Sequence, residues 1–111
     1  MNRVYRPWGC YDLVHSSLNM WTKILYVHPG QALSLQYHRN RDEFWSPITS
    51  GLRAFIGDED LDLTKGERYV VQAGTVHRIW NPTNLICSLV EVATGFPNED
   101  DIVRLEDDYG R

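Results

Sequence analysis

Turn-forming residues punctuate this 111-residue chain at intervals of roughly eight to twelve. They fall at "HPG" 28–30, "RNRD" 39–42, "SG" 50–51, "GDED" 57–60, "KG" 65–66, "AGT" 73–75 and "NPTN" 81–84. Between them lie short runs rich in Val, Ile, Leu, Tyr and Trp, whose branched or aromatic side chains pack well on a pleated surface. Short strands at this spacing indicate an all-β sandwich or barrel. One segment reads differently. "NEDDIVRLEDD" offers Asn98 as an N-cap with acids in the first turn, and so predicts a C-terminal helix of about two turns. No internal repeat or linker is evident, so residues 1–111 are read as one domain.

Apolar residues make up 42% and charged residues 23%, which is globular composition. No stretch approaches the ~20 apolar residues of a membrane span, and "MNRVYRPWGCYD" lacks the apolar core of a signal peptide. A soluble, cytoplasmic protein is the expectation. The net charge of -4 is carried by the end of the chain: residues 97–111 hold six acids against Arg104 and Arg111, while residues 1–96 balance. With no basic excess and a pI near 5.4 there is no footprint for a nucleic-acid backbone. The acidic tail is either a solvated end or a partner-binding arm. Cys10 and Cys87 lie too far apart for a C-x-x-C site; Cys87, within "LICSLVEVA", reads as a small buried hydrophobe.

Period-two alternation sorts the candidate functional residues. In "ALSLQYH", Leu33, Leu35 and Tyr37 share one strand face, and Ser34, Gln36 and His38 share the other. A half-buried strand turns such a polar face to water, whereas a small barrel can turn it inward around a ligand. The alternation alone leaves both arrangements open. After "RNRD", Glu43 and Trp45 share a face; in "VHRIWN", His77, Ile79 and Asn81 do. Gln36, His38, Glu43 and His77 are thus nitrogen and oxygen donors from three β segments, each beside a turn. Singly, each has a structural explanation, as a hydrogen-bonded histidine or a strand-end acid. Together they match the preference of a borderline divalent cation for imidazole and carboxylate, with a coordination position left open.

The segments "PGQALSLQYHRNRDEFWSPITSG" and "GERYVVQAGTVHRIWN" resemble the two motifs of the cupin superfamily, in the version of type II mannose-6-phosphate isomerases. Those domains usually form the C-terminal part of bifunctional isomerase/mannose-1-phosphate guanylyltransferases. "RPWGCYDL" at 6–13 and "EDDIVRLEDDYGR" at 99–111 are similar to the family's opening and closing signatures, so the likeness covers nearly the whole chain. No Gly-rich nucleotide loop accompanies them, and the expectation is an isomerase-type domain without the nucleotidyltransferase half.

The resemblance implies a cupin jelly-roll barrel, commonly a homodimer, with a divalent metal (Zn, Co, Mn or Ni) held by Gln36, His38, Glu43 and His77. It implies interconversion of mannose 6-phosphate and fructose 6-phosphate, with Arg41, Glu43 and Arg104 catalytic and Lys23 a substrate contact. Basic side chains suit a phosphorylated sugar, and their alternative is ordinary surface charge. Trp45, on the face of Glu43, is a candidate to stack on the sugar ring; the other tryptophans and Tyr26, Tyr37 and Tyr69 read as core or dimer-face residues. Isomerisation needs a base to move a proton between C2 and C1. The matched set offers Glu43 and His77, but a metal-bound carboxylate is a poor base because the cation lowers its proton affinity.

The chain departs from the family pattern at several positions. Phe44 stands where the family has histidine, Arg39 and Asn40 where two further histidines follow His38, Gln72 where proline begins the second-motif turn, and Pro47 interrupts its run. Loss of the histidine at 44 removes a group that titrates near neutral pH, and with it a candidate proton carrier. Two rival readings follow. One is a non-catalytic cupin binding a sugar phosphate or small acid. The other is an iron cupin dioxygenase, disfavoured by Gln36 in place of an all-histidine set.

Overall fold

The computed structural model describes residues 2–111, and eleven strands account for its regular structure. They are β1 (Asn2–Arg6), β2 (Gly9–Ser16), β3 (Met20–Val27), β4 (Leu35–Tyr37), β5 (Arg41–Pro47), β6 (Arg53–Ile56), β7 (Glu59–Asp62), β8 (Tyr69–Val71), β9 (His77–Trp80), β10 (Cys87–Gly95) and β11 (Val103–Glu106). Six pair in the order β1-β2-β3-β10-β5-β8, and five in the order β11-β4-β9-β6-β7. Every pairing is antiparallel. One apolar cluster joins the two sheets: Leu25, Val27 and Leu89 from the first, with Trp8 from the β1–β2 turn, meet Ala54 and Ile79 from the second.

The inward stripe of each central strand changes character along its length. On β3 the buried residues are Trp21, Lys23, Leu25 and Val27; on β10 they include Cys87, Leu89, Glu91 and Ala93; on β5 they are Arg41, Glu43, Trp45 and Pro47. Register aligns these stripes. Leu89 pairs with Leu25 and Pro47, Glu91 with Lys23 and Trp45, Ala93 with Trp21 and Glu43, and Gly95 with Arg41. The interior is therefore apolar at one end and polar at the other. Pro47 costs the sheet little, because β8 pairs with β5 only across Glu43–Trp45.

Strand β4 reverses the ordinary half-buried pattern. Its region buries Ser34, Gln36 and His38, leaving Leu35 and Tyr37 only half-buried on the outer face. Leu33, expected on that outer face, joins the core instead, because it precedes the strand and escapes its alternation. Gln36 pairs with His77 of β9 and with Arg104 of β11. The polar face points into the barrel.

The C-terminal helix is not formed. Asn98 Oδ1 accepts the Asp100 amide and its carbonyl the Asp101 amide, closing a turn, and the chain continues as β11 along β4. A two-turn helix is too short to repay its nucleation, whereas β4 offers a row of backbone partners to Val103 and its neighbours.

Gly95 closes β10 against the turn before Arg41. Its φ is +109°, and a Cβ there would lie 2.7 Å from the Asn40 carbonyl oxygen. Gly95→Ala is expected to cost about 1–3 kcal/mol, measured by urea denaturation; a change below about 0.5 kcal/mol would contradict this packing.

Candidate metal centre and its cationic mouth

Three buried donors meet at the polar end of the barrel. Glu43 Oε2 lies 3.2 Å from His38 Nε2, and Glu43 Oε1 lies 3.9 Å from His77 Nε2. All three ligand atoms fall within 4.8 Å of one another. The tautomers follow from the backbone. His38 Nδ1 lies 2.7 Å from the Asp101 carbonyl oxygen and His77 Nδ1 2.9 Å from that of Thr75. A carbonyl only accepts, so both Nδ1 atoms carry the proton and both Nε2 lone pairs face the cluster. Burial lowers the His77 pKa and keeps that ring neutral, as a ligand must be. Burial alone would raise Glu43, but its polar neighbours outweigh it, the Arg41 guanidinium among them, and hold the carboxyl below the usual range.

Gln36 is buried beside His77 and lines the same cavity. Ser34 Oγ, also lining it, is the single buried side-chain polar atom without a partner among the described residues. An orphaned hydroxyl facing a cavity is the mark of a site built for a polar guest. Two neutral imidazoles, one carboxylate and an adjacent amide suit a divalent cation. His77→Ala is expected to reduce bound metal at least tenfold by equilibrium dialysis; full retention would remove His77 from the donor set.

Arg41 is buried against this cluster. Its Nε donates to Glu43 Oε2 (2.9 Å), its Nη2 lies 3.0 Å from His38 Nε2, and its Nη1 donates to the Asn98 carbonyl (3.2 Å). Asp101 accepts the Arg39 and Asn40 amides, so the 98–101 turn braces both Arg41 and His38. Trp45 is 1% exposed, and its Nε1 donates to Glu43 Oε1 (3.0 Å). With its edge toward His77, it supports the donors from beneath. The open ring face that sugar stacking needs is not found at so buried an indole.

Lys23, only 6% exposed, donates to Glu99 and sits over the rings of Trp21 and Tyr11. Arg104 is exposed on β11 at the mouth, with Arg6 and Arg111 nearby on the same cavity. Partial burial and the Arg111 charge both lower the Arg104 pKa. Arg6 is paired with Glu99 and Arg111 with Asp107, which leaves Arg104 as the rim cation without a carboxylate partner among the described residues, free to meet an anion.

The alternation reading overlooked Glu91, Glu99, Arg6 and Arg111. Glu91 was findable: in "CSLVEVA" period two places it on the same face as Cys87 and Leu89, and a lone acid on an apolar stripe is a signal in itself. Burial and the Glu43 charge push its pKa up to about 7, against the opposing charges of Lys23 and Arg41.

The departures from the family pattern fall outside the cavity. Phe44 is 40% exposed on the outer face of β5, and Arg39 and Asn40 are exposed in the preceding turn. The expectation that Phe44 deprives the pocket of a proton carrier is corrected by period two: neighbours of Glu43 point the other way.

An antiparallel double-sheet barrel with a His/Glu/His cluster at its polar end defines a cupin. The chain belongs to the mannose-6-phosphate isomerase C-terminal family, whose model matches residues 1–107. It is 43% identical over 110 residues to the xanthan biosynthesis protein XanB of Xanthomonas campestris pv. campestris (strain B100), covering 98% of this chain and 24% of that protein. It is 39% identical to the alginate biosynthesis protein AlgA of Pseudomonas aeruginosa PAO1 and 38% to the mannose-1-phosphate guanylyltransferase ManC of Salmonella typhimurium LT2, in each case over 97% of this chain and 23% of that protein. The chain thus spans about a quarter of the length of these relatives. Among solved structures, TT1209 of Thermus thermophilus superposes with a TM-score of 0.76 at 23% identity, over 85% of this chain and 90% of that one. KdgF from Halomonas sp. gives 0.76 at 11% identity, over 90% of each. At such identities the likeness is one of fold. No helix among the described residues is long and apolar enough to cross a membrane.

Proposed function

We propose that this cupin interconverts mannose 6-phosphate and fructose 6-phosphate, using a divalent cation held by His38, Glu43 and His77 with Gln36 as a further donor. The observation that carries this reading is the convergence of both Nε2 lone pairs and the Glu43 carboxylate beside a cationic rim. When bound, the cation supplies Lewis acidity toward the sugar's oxygens. The chain's own groups do the rest. Arg104, Arg6 and Arg111 present guanidinium donors for the phosphate. Buried Arg41 adds a fixed positive charge where negative charge develops on oxygen. Trp45 and the 98–101 turn keep the donors from moving.

Protein loaded with Zn, Co, Mn or Ni in turn is expected to convert mannose 6-phosphate to fructose 6-phosphate with at least one of them, followed by a coupled assay. Binding without turnover would return the non-catalytic reading. Oxygen uptake with ferrous iron would indicate the dioxygenase. Arg104→Ala is expected to raise KM about tenfold or more with kcat little changed, the loss of one charge-assisted phosphate contact. An unchanged KM removes Arg104 from the phosphate site. Arg41→Ala is expected to lower kcat about 100-fold at unchanged metal content.

A further inference from the structure

Resting on that isomerase reading, we infer that Glu91 is the group that carries the proton between C2 and C1 of the sugar. The other carboxylates facing the cavity are committed. Glu43 Oε2 accepts from Arg41 and Oε1 from Trp45, and its charge is needed among the donors. Glu99 is half-exposed and paired with Lys23 and Arg6. The free nitrogens of His38 and His77 point at the donor cluster.

Glu91 differs from all of these. It projects from β10 at the level of Lys23 and Trp45, is 6% exposed, and lines the cavity. Trp21 Nε1 donates to its Oε2 at 2.9 Å. No hydrogen bond to a described residue holds its Oε1. The two cations that flank it, Lys23 from β3 and Arg41 from β5, are each bound to another carboxylate. One oxygen is thereby anchored by an indole and the other is free, the arrangement a proton carrier needs to hold its geometry while changing charge.

The step balances within the substrate. Glu91 carboxylate takes the C2 proton; the C2–H electron pair becomes the C1=C2 bond, and the carbonyl pair moves onto O1. A proton passes from O2 to O1. Glu91 then returns its proton to C1 as the C=C pair forms the new C1–H bond and O2 becomes the ketone. C2 is oxidised and C1 reduced, so no external redox partner is required.

The test compares wild type, Glu91→Gln and Glu91→Asp on mannose 6-phosphate deuterated at C2, in ordinary water. Wild type is expected to form product and release part of the label to solvent. Glu91→Gln should lose both by about 100-fold or more, with KM and bound metal within twofold of wild type. Glu91→Asp retains an acid one methylene short and should recover part of kcat, which a purely structural role does not explain. Should Glu91→Gln fail to fold, Glu91→Asp decides: unchanged kcat and label loss in that variant overturn the assignment. An active Glu91→Gln overturns it while leaving the isomerase reading intact. A wild type that neither turns over nor exchanges label overturns both.

Discussion

Glu43→Ala is expected to abolish metal retention and turnover together and to destabilise even the metal-free fold by about 3–5 kcal/mol. Removing one member of a buried ion pair leaves its partner charged, desolvated and unmatched, and that penalty exceeds what the pair itself contributes. Here the stranded group is the Arg41 guanidinium, buried with only the Asn98 carbonyl as a remaining oxygen acceptor. The Trp45 indole N–H and the His38 ring lose their contacts at the same time. Urea denaturation in chelator reads the stability, and metal analysis after gel filtration reads the site. Glu43→Gln separates the two effects, since a neutral amide can still accept from Trp45 yet offers no charge to a cation. Destabilisation of Glu43→Ala below about 1 kcal/mol would show that Arg41 finds another partner, and the described cluster would not be the one in solution.

Glu91→Gln is expected to become more stable than wild type as pH rises, while losing activity. The Glu91 carboxyl has a folded pKa raised from 4.5 to about 7 by burial, then by the Glu43 charge, with Lys23 and Arg41 opposing. Below pH 4.5 the group is protonated both folded and unfolded. Between 4.5 and 7 the folded state holds a proton that the unfolded state has released, so wild-type stability from this group falls with rising pH. The loss levels off above the folded pKa at about 3 kcal/mol, the 2.5-unit difference converted at 1.36 kcal/mol per unit. Glutamine has no such titration. Chelator-treated Glu91→Gln should therefore draw ahead of wild type across that window. Glu43, whose pKa is lowered, acts in the opposite sense and at lower pH, where its contribution disappears as pH falls through the folded value. A variant-minus-wild-type difference that stays flat from pH 4.5 to 7 would contradict so buried a carboxyl. Greater stability joined to lost activity is the expected behaviour of a group kept for chemistry at the fold's expense.

How far the site was legible can be followed residue by residue. Gln36 and His38 shared a face by alternation, and His77 shared one with Ile79 and Asn81; the structure buries all of them. Turn spacing indicated β structure throughout, and the family likeness named the barrel. The tail was misread because Asn98 and the acids after it suit a helix cap as well as a turn, and only an unpaired edge on β4 decides between them. Glu91 was legible as a lone acid on the stripe of Cys87 and Leu89, but no second donor on its strand marks it as part of a site. Arg6 and Arg111 lie near opposite ends of the chain, and nothing local brings them to one rim.

Alternation along single strands was enough to say which side chains travel together, because pleating makes successive residues face opposite ways whatever surrounds them. Whether the polar set faces water or the barrel's interior was decided only by closure of two sheets around it. That is a property of strand order and register, not of any one strand. The same closure turned Phe44 outward, tied His38 Nδ1 to a carbonyl of the distant 98–101 turn, and left Glu91 beside two cations already bound elsewhere.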